Sequence, residues 1–237
     1  MHFNVTESAI LDVLTGRRFQ PWEGGEGLAL AQHVRTHILL GKHELSRGNA
    51  TGARHFFETA LKAPENLGEA KHLLADYSDV YFWLGTAFQG LGDDAAACQW
   101  WERAAHHEGD FEEMSVKEFS EMTYYKALAL KRLNRTRDAE ELLRALLAHA
   151  EALAKQETKI DYFATSLPAM LLFNDDPQRR NMVTALFLQA QAYLGLGDRV
   201  KGQRLTTQVL ELDGNHPLAA DLLSDIELFS SAVSAPD

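Results

Sequence analysis

Eight polar or aromatic residues in the predicted loops could together bind a sugar. Aromatic rings beside carboxylates are typical of sugar sites, and glycoside hydrolysis would need a raised-pKa acid with a second carboxylate. The residues are Trp22, Glu23, Glu26, Glu69, Lys71, His72, Asp161 and Tyr162. The alternative is structural, because Glu23 and Glu26 precede a long helix whose N-terminal end acidic residues stabilise. A sugar pocket requires that these side chains meet in one cavity.

Histidine and cysteine residues give weaker signals for chemistry. His33 and His37 are four residues apart, which places them on one face of a helix. No third ligand stands at a telling distance and no glutamate follows His33 as in the zinc-protease motif, so we expect no metal and no cofactor. The single cysteine, Cys98, is expected to be a small core residue. Without a catalytic motif or a phosphate-binding glycine loop, the chain is predicted not to be an enzyme.

Composition and charge narrow the class of protein. The chain has 237 residues, of which 46% are hydrophobic, and this suits one or two domains or a short solenoid. Its formal net charge of -11 argues against nonspecific binding to nucleic acid, which depends on cationic contacts to phosphate. No signal peptide opens the chain, and no window approaches the roughly 20 apolar residues of a membrane span. We therefore expect a cytoplasmic protein that contacts no membrane.

The stretch 78–109 has the pattern of two helices joined by a glycine turn. The first helix would bury one face, formed by Tyr81, Leu84, Gly85 and Phe88. The sequence GLGD at 90–93 ends it, because glycine stops helices easily and Asp93 can cap the next helix. The second helix repeats the spacing at Ala97, Trp101 and Ala104. This pattern, with a period of about 34 residues, is typical of tetratricopeptide repeats, so the predicted fold is an all-α, right-handed solenoid of helical pairs.

Other segments of the chain repeat this unit. At an offset of 44 residues, the places of Gly85, Gly92, Ala97, Trp101 and Ala104 are held by Gly41, Gly48, Ala53, Phe57 and Ala60. Asn134 and Gly197 hold the place of the turn glycine in two later units. The predicted units span about 34–67, 78–111, 120–153 and 183–216, and the first helix is expected to begin as early as Leu28.

Three more segments complete a single predicted domain of residues 1–237. Residues 1–16 read as the second half of a truncated unit, and its end could support homo-oligomers. The insert 154–182 is too apolar for a solvated linker and too long for an ordinary connection, so we expect a short helix and a packed loop. Asp176 and Pro177 are a good start for the next helix. A helix over 218–229 is expected to cap the stack.

The inward positions of the first helices predict a binding groove. Stacked helical pairs curve, and the first helix of each pair lines the concave side. These positions hold an apolar row flanked by both signs of charge: Arg35, Ile38, Lys42, Asp79, Phe82, Glu121, Tyr124, Lys131 and Phe187. Such a row suits a peptide or helix laid in a groove. Alternatively, the insert or the long first helix covers the row as ordinary core, and the sequence leaves both interpretations open.

Five strings extend the comparison beyond the repeat itself. They are PWEGGEG at 21–27, ENLGEAKH at 65–72, EMTYYKALAL at 121–130, KIDYFATSLP at 159–168 and MLLFNDD at 170–176. They resemble the C-terminal part of a family of large prokaryotic proteins, in which a β-sandwich domain related to sugar-binding folds is joined to tetratricopeptide repeats. The resemblance implies an all-helical repeat module and a loose link to carbohydrate metabolism, carried by a sandwich domain that this chain does not contain.

Two functional hypotheses follow. The first is a non-catalytic scaffold that binds a protein or peptide partner in its groove, with a carbohydrate-active β-sandwich domain among the candidate partners. The second is a carbohydrate-binding or accessory part of a carbohydrate-active enzyme, which would use the loop pocket.

Overall fold

The computed structural model describes residues 3–20, 27–69, 75–106, 110–112, 115–157 and 176–233. Over these ranges the protein is all-α, as predicted, with one 3-10 turn at Glu65–Leu67 and one short β-hairpin. The helices are α1 Phe3–Gly16, α2 Leu28–Ser46, α3 Ala50–Ala60, α4 Ser78–Gly90, α5 Asp94–Ala105, α6 Met122–Arg132, α7 Thr136–Leu153, α8 Pro177–Leu196, α9 Arg199–Leu212 and α10 Pro217–Val233. None of these described helices is long and apolar enough to cross a membrane.

The chain divides into two compact units, 1–118 with 128–136 and 119–127 with 137–237. In the first unit α1 packs on α2, α2 pairs with α3, α3 packs on α4, and α4 pairs with α5. In the second unit α8 pairs with α9 and α9 packs on α10, while buried residues of α7 and α8 share a small core. Packing between helices that follow one another in the chain is the arrangement of a helical-repeat solenoid.

The turns within the helical pairs share one backbone conformation. The residue in each turn has a positive φ: 75° at Gly48, 77° at Gly92, 60° at Asn134 and 94° at Gly197. Asparagine is one of the few other residues that enter this left-handed region readily. Just after three of the turns, a side-chain oxygen of Asn49, Asp93 or Asp198 accepts a backbone N–H of the next helix. The repeat pattern in the sequence therefore corresponds to a repeated local geometry.

Close helix approach in the first unit depends on two glycines. A Cβ atom built on Gly41 would lie less than 3.0 Å from the ring of Phe57, and one on Gly85 would lie less than 3.0 Å from the ring of Trp101. Phe57 and Trp101 are 0% and 3% exposed. The Trp101 indole Nε1–H also donates to the carbonyl of Phe82 at 3.2 Å. The two glycine–aromatic pairs, 44 residues apart, thus make the same contact.

The core of the second unit forms where α8, α9 and α10 meet. Phe187 is 1% exposed and packs with buried residues of α9 and α10, among them Val209 and Leu222. Helix α10 packs against this core. It runs from Pro217 to Val233 and is longer than the helix predicted over 218–229. Asp176 caps α8 and Pro177 is its first residue, which confirms the predicted helix start. Of the predicted insert 154–182, residues 177–182 belong to α8, and residues 158–175 lie outside the described residues.

Two expectations from the sequence were wrong or incomplete. Cys98 is exposed rather than buried, because α5 buries the face of Ala97, Trp101 and Ala104 and Cys98 lies one step around the helix from it. The antiparallel hairpin of β1 Asp110–Glu112 and β2 Ser115–Lys117 was not predicted. Its strands have three residues each, which is too short for an alternating pattern to stand out.

Candidate functional site

Of the eight residues of the predicted loop pocket, Glu69 lies in the part of the chain that the structure describes. The other members, Trp22, Glu23, Glu26, Lys71, His72, Asp161 and Tyr162, lie outside the described residues. The Glu69 carboxylate accepts hydrogen bonds from the backbone N–H groups of Gly27 at 3.0 Å and Leu30 at 3.4 Å. It therefore caps the N-terminal end of α2. The sequence suggested a stabilising role at this helix end for Glu23 and Glu26, which lie outside the described residues.

Replacement of Glu69 by alanine should lower the free energy of unfolding by about 1 kcal/mol, the usual effect of losing a side-chain helix cap. Urea unfolding followed by circular dichroism would measure it. Glu65→Ala is the matched control, since Glu65 is exposed in the neighbouring 3-10 turn. Equal midpoints for the two variants would show that the cap contributes nothing.

The inward-facing candidates of the first unit lie on three helices. Arg35, Ile38 and Lys42 are on α2, Asp79 and Phe82 are on α4, and Lys131 is on α6. Ile38 and Phe82 are buried, whereas Arg35, Lys42, Asp79 and Lys131 are half-buried. Because α2 and α4 are in contact, we group their candidates under the name α2–α4 surface. We call the buried Ile38 and Phe82 its floor, and the half-buried charged residues of the two helices its rim.

Trp83 is a member of this surface that the sequence did not single out. The Lys42 ammonium lies 5.1 Å from the centroid of the Trp83 ring, and the Phe57 ring stacks on Trp83 with centroids 6.3 Å apart. Trp83 is 7% exposed. Its buried Nε1 has no hydrogen-bond partner within the part of the chain that the structure covers. The neighbouring Trp101 indole, by contrast, is satisfied by a carbonyl.

The carboxyl group of Asp79 has an unusual environment. The pKa of Asp79 is raised to about 7, chiefly by burial and also by the nearby charge of Asp76. The Val80 backbone N–H, 2.7 Å from Asp79 Oδ1, and the charge of Lys42 act in the opposite direction. In the unfolded chain this carboxyl group loses its proton at a lower pH than in the folded protein. Raising the pH above 7 therefore disfavours the folded state.

Asp79→Asn should therefore stabilise the protein at pH 8 by about 2 kcal/mol, since a shift of one pKa unit corresponds to about 1.4 kcal/mol and the carboxyl is only half-buried. Because the pKa of Asp79 is raised in the folded state, the protonated carboxyl group favours folding. This contribution to stability is complete below about pH 4 and is lost as the pH rises through 7. The advantage of the variant should thus disappear near pH 4.

Chemical unfolding of both proteins from pH 4 to pH 8 tests this expectation. Asp94→Asn is the control, because Asp94 is exposed on α5. Histidine titration affects all three proteins alike and cancels in the difference. A stability difference between Asp79→Asn and the wild type that does not change with pH would contradict the assignment.

The inward-facing candidates of the second unit pack differently. Phe187 is core, and its ring lies 4.8 Å from that of His216. Tyr124 is half-buried against the same core; burial raises its pKa and the charge of Asp225 adds to the shift. The backbone carbonyl of Glu121 accepts a hydrogen bond from Gln191 Nε2 at 3.2 Å. Of the apolar row, Tyr124 is half-buried, whereas Ile38, Phe82 and Phe187 are buried.

The histidine pair is packed between α2 and α3. The rings of His33 and His37 are 4.2 Å apart, and both side chains are buried. Their ring N–H groups face backbone carbonyls, that of Thr59 at 3.3 Å from His33 and that of His33 at 2.7 Å from His37. Burial lowers the pKa of both. Among the described residues there is no group of three or more histidine, cysteine, aspartate or glutamate residues that could hold a metal ion.

No family model matches the chain. Solved structures that are similar to it include two of MamA. "MamA 41-end from Desulfovibrio magneticus RS-1" is 15% identical over 84% of this chain and 86% of that chain, with a TM-score of 0.28. "MamA RS-1 ArsTM double mutant" is 17% identical over 86% of this chain and 98% of that chain, with a TM-score of 0.29. Similarity at these TM-scores supports no conclusion about the function of this chain.

Proposed function

We propose that this chain is a non-catalytic recognition module, which binds a protein or peptide partner at the surface formed by α2 and α4. The Lys42 ammonium lies 5.1 Å from the centroid of the buried Trp83 ring, and this is the observation that carries the proposal. The half-buried carboxyl of Asp79 lies near the same positive charge, and burial raises its pKa to about 7. It stands beside a floor formed by Phe82 and Trp83, both buried.

Burying these polar groups lowers the stability of the fold. Replacing a buried ion pair by apolar residues of similar volume is often neutral or stabilising, and a buried donor without an acceptor costs about 1–3 kcal/mol. Asp79 and the Trp83 indole N–H both carry such costs. Groups that are held in place at the expense of stability, with perturbed pKa values, are concentrated at functional sites.

The arrangement suits a partner that offers polar groups together with a small apolar contact. Because the floor is already largely buried, the half-buried rim supplies most of the available contacts: Arg35, Lys42 and Asp79. Charged rim groups of this kind mainly select the partner and increase the rate of association. The loop-pocket alternative gains no support from Glu69, whose carboxylate is engaged at the start of α2.

Site-specific photo-crosslinking in cells that naturally contain the protein tests the proposal. A photoreactive amino acid would be placed at Arg35, on the inward side of α2, and in a control protein at Gln99, which is exposed on α5. We expect a discrete crosslinked partner from position 35 that disappears when Lys42→Glu and Asp79→Lys are added separately. Equal crosslinking from both positions, or crosslinking that ignores both charge reversals, would reject the surface.

A further inference from the structure

Two histidine rings of α2 are buried side by side where this helix packs on α3. His33 is 2% exposed and His37 is 5% exposed, and their ring centroids are 4.2 Å apart. The Phe56 ring of α3 lies 6.2 Å from the ring of His37. Histidine is the side chain that normally changes its charge between pH 5 and 8. The contact therefore places two titratable groups together in the interior of the first unit.

Hydrogen bonds fix the position of the proton on each neutral ring. His33 Nε2 lies 3.3 Å from the carbonyl oxygen of Thr59, and His37 Nδ1 lies 2.7 Å from that of His33. A carbonyl oxygen can only accept, so these two ring nitrogens carry the protons. The other nitrogen of His33, Nδ1, is buried and has no partner among the described residues. A second proton on His33 would be a buried donor without an acceptor, which is costly.

The surroundings of the pair also disfavour its positive charge. Burial lowers the pKa of both rings, backbone hydrogen bonds oppose the shift, and the charges of His33 and His55 lower the pKa of His37 further. Among the described residues, no carboxylate charge shifts the pKa of either histidine. The titratable groups on α2 itself and on the helices that pack against it include Arg35 and Lys42 on α2, Glu7 and Asp12 on α1, Arg54, His55 and Glu58 on α3, and Asp79 and Tyr81 on α4.

His216 in the second unit has a different environment. Burial lowers the pKa of His216 as well, but there the charge of Asp213 opposes the shift. The His33–His37 pair has no such compensation in the described chain, and each ring faces a second ring that would carry the same charge. The pair is therefore built to stay neutral for as long as α2 and α3 remain packed.

We propose that the His33–His37 pair is an acid-sensitive lock, which holds α2 on α3 while both rings are neutral and opens this helical pair when the rings take up protons. Two positive rings 4.2 Å apart repel each other, and these buried side chains reach water only when α2 separates from α3. Because α2 also carries Arg35 and Lys42, opening disrupts the α2–α4 surface. Release of a partner by acid rests on the proposed function, whereas the opening itself does not.

The direction of the pH effect follows from the lowered pKa values. An exposed histidine titrates near pH 6.5, so the open state binds protons that the closed state does not. The lock is therefore complete above about pH 6.5 and weakens as the pH falls below it. Between pH 6.5 and 5.5, each ring that stays neutral in the closed state raises the opening constant about fivefold, and two such rings raise it about thirtyfold.

Hydrogen exchange of the full chain, with no partner present, tests the lock. Opening constants are measured for the amides of α2 and α3 at pH 6.5 and 5.5, after correction for the intrinsic exchange rate. The reference is the double variant His33→Gln with His37→Asn, whose amide groups keep donors for the Thr59 and His33 carbonyls but do not titrate. We expect the rise in the wild type to exceed that in the variant about thirtyfold. Asp79 titrates in both proteins and cancels in this ratio.

His55→Gln is the matched control, because His55 is exposed on α3 and its loss should change the rise by less than about twofold. Should the double variant not fold, His37→Asn alone should reduce the rise about fivefold. A ratio below about fivefold between the wild type and the double variant, or an equal loss of the pH effect in His55→Gln, would overturn the lock. Partner crosslinking in a lysate at pH 5.5 that persists while α2 and α3 open would count against the binding surface and not against the lock.

Discussion

Replacing Gly85 with alanine should destabilise the first unit by about 3 kcal/mol, because overpacking a well-filled core usually costs 1–3 kcal/mol. The new Cβ would overlap the Trp101 ring. That ring cannot easily move away, since it is buried and its Nε1–H is bonded to the Phe82 carbonyl. Urea unfolding followed by circular dichroism would measure the change.

Gly16→Ala is the control for this prediction. Gly16 ends α1, and a Cβ there would meet no atom within 4 Å. We expect a change within about 0.5 kcal/mol, as is usual for open surface positions. Similar effects at Gly16 and Gly85 would mean that helical propensity, rather than contact with Trp101, determines the result.

Phe187→Ala should lower the free energy of unfolding by about 3–5 kcal/mol, the usual cost of truncating a fully buried phenylalanine. The ring is 1% exposed between α8, α9 and α10. Val200→Ala, at a position that is 82% exposed on α9, should change stability by less than about 0.5 kcal/mol. Hydrogen exchange would show whether the loss of protection extends over α8 to α10.

This second prediction also separates the two interpretations of the apolar row. As core, Phe187 is required for folding. If instead it were an anchor for a partner, the alanine variant would fold with unchanged protection and lose only binding. Normal stability of Phe187→Ala would therefore contradict its assignment to the core.

The sequence predicted the parts of the fold that depend on local signals. One position in each predicted unit is held by a turn residue with a positive φ: Gly48, Gly92, Asn134 and Gly197. The start of α8 was predicted because Asp176 and Pro177 form a cap and a first helical residue in adjacent positions. The contacts of Gly41 and Gly85 followed from the 44-residue offset, since small residues at equivalent positions imply close helix approach.

The parts that were missed depend on neighbours distant in the chain. Glu69 caps a helix 42 residues away in the sequence, and no local pattern marks such a partner. Trp83 is recognised by its contacts with Lys42 and Phe57, which lie on other helices. A cavity where α8 and α10 begin and α9 ends is lined by Asp176, Thr184 and His216, which become neighbours only in the folded chain.

Cys98 shows a different kind of error. Its face of α5 was inferred from the spacing of apolar residues, but each step along a helix turns the side chain by about 100°. Trp101 and Ala104 define the buried stripe, and Cys98 falls outside it. Cys98 is next to Ala97 in the sequence, but its side chain does not belong to the buried stripe.

Double-mutant cycles on the glycine–aromatic pairs test the central claim most directly, namely that residues 44 positions apart have the same structural role. Gly41→Ala would be combined with Phe57→Leu, Gly85→Ala with Trp101→Leu, and, as a mismatched pair, Gly41→Ala with Trp101→Leu. The account predicts coupling energies above about 1 kcal/mol in both matched pairs and within about 0.5 kcal/mol of zero in the mismatched pair. Coupling in only one matched pair, or equal coupling in all three, would contradict it.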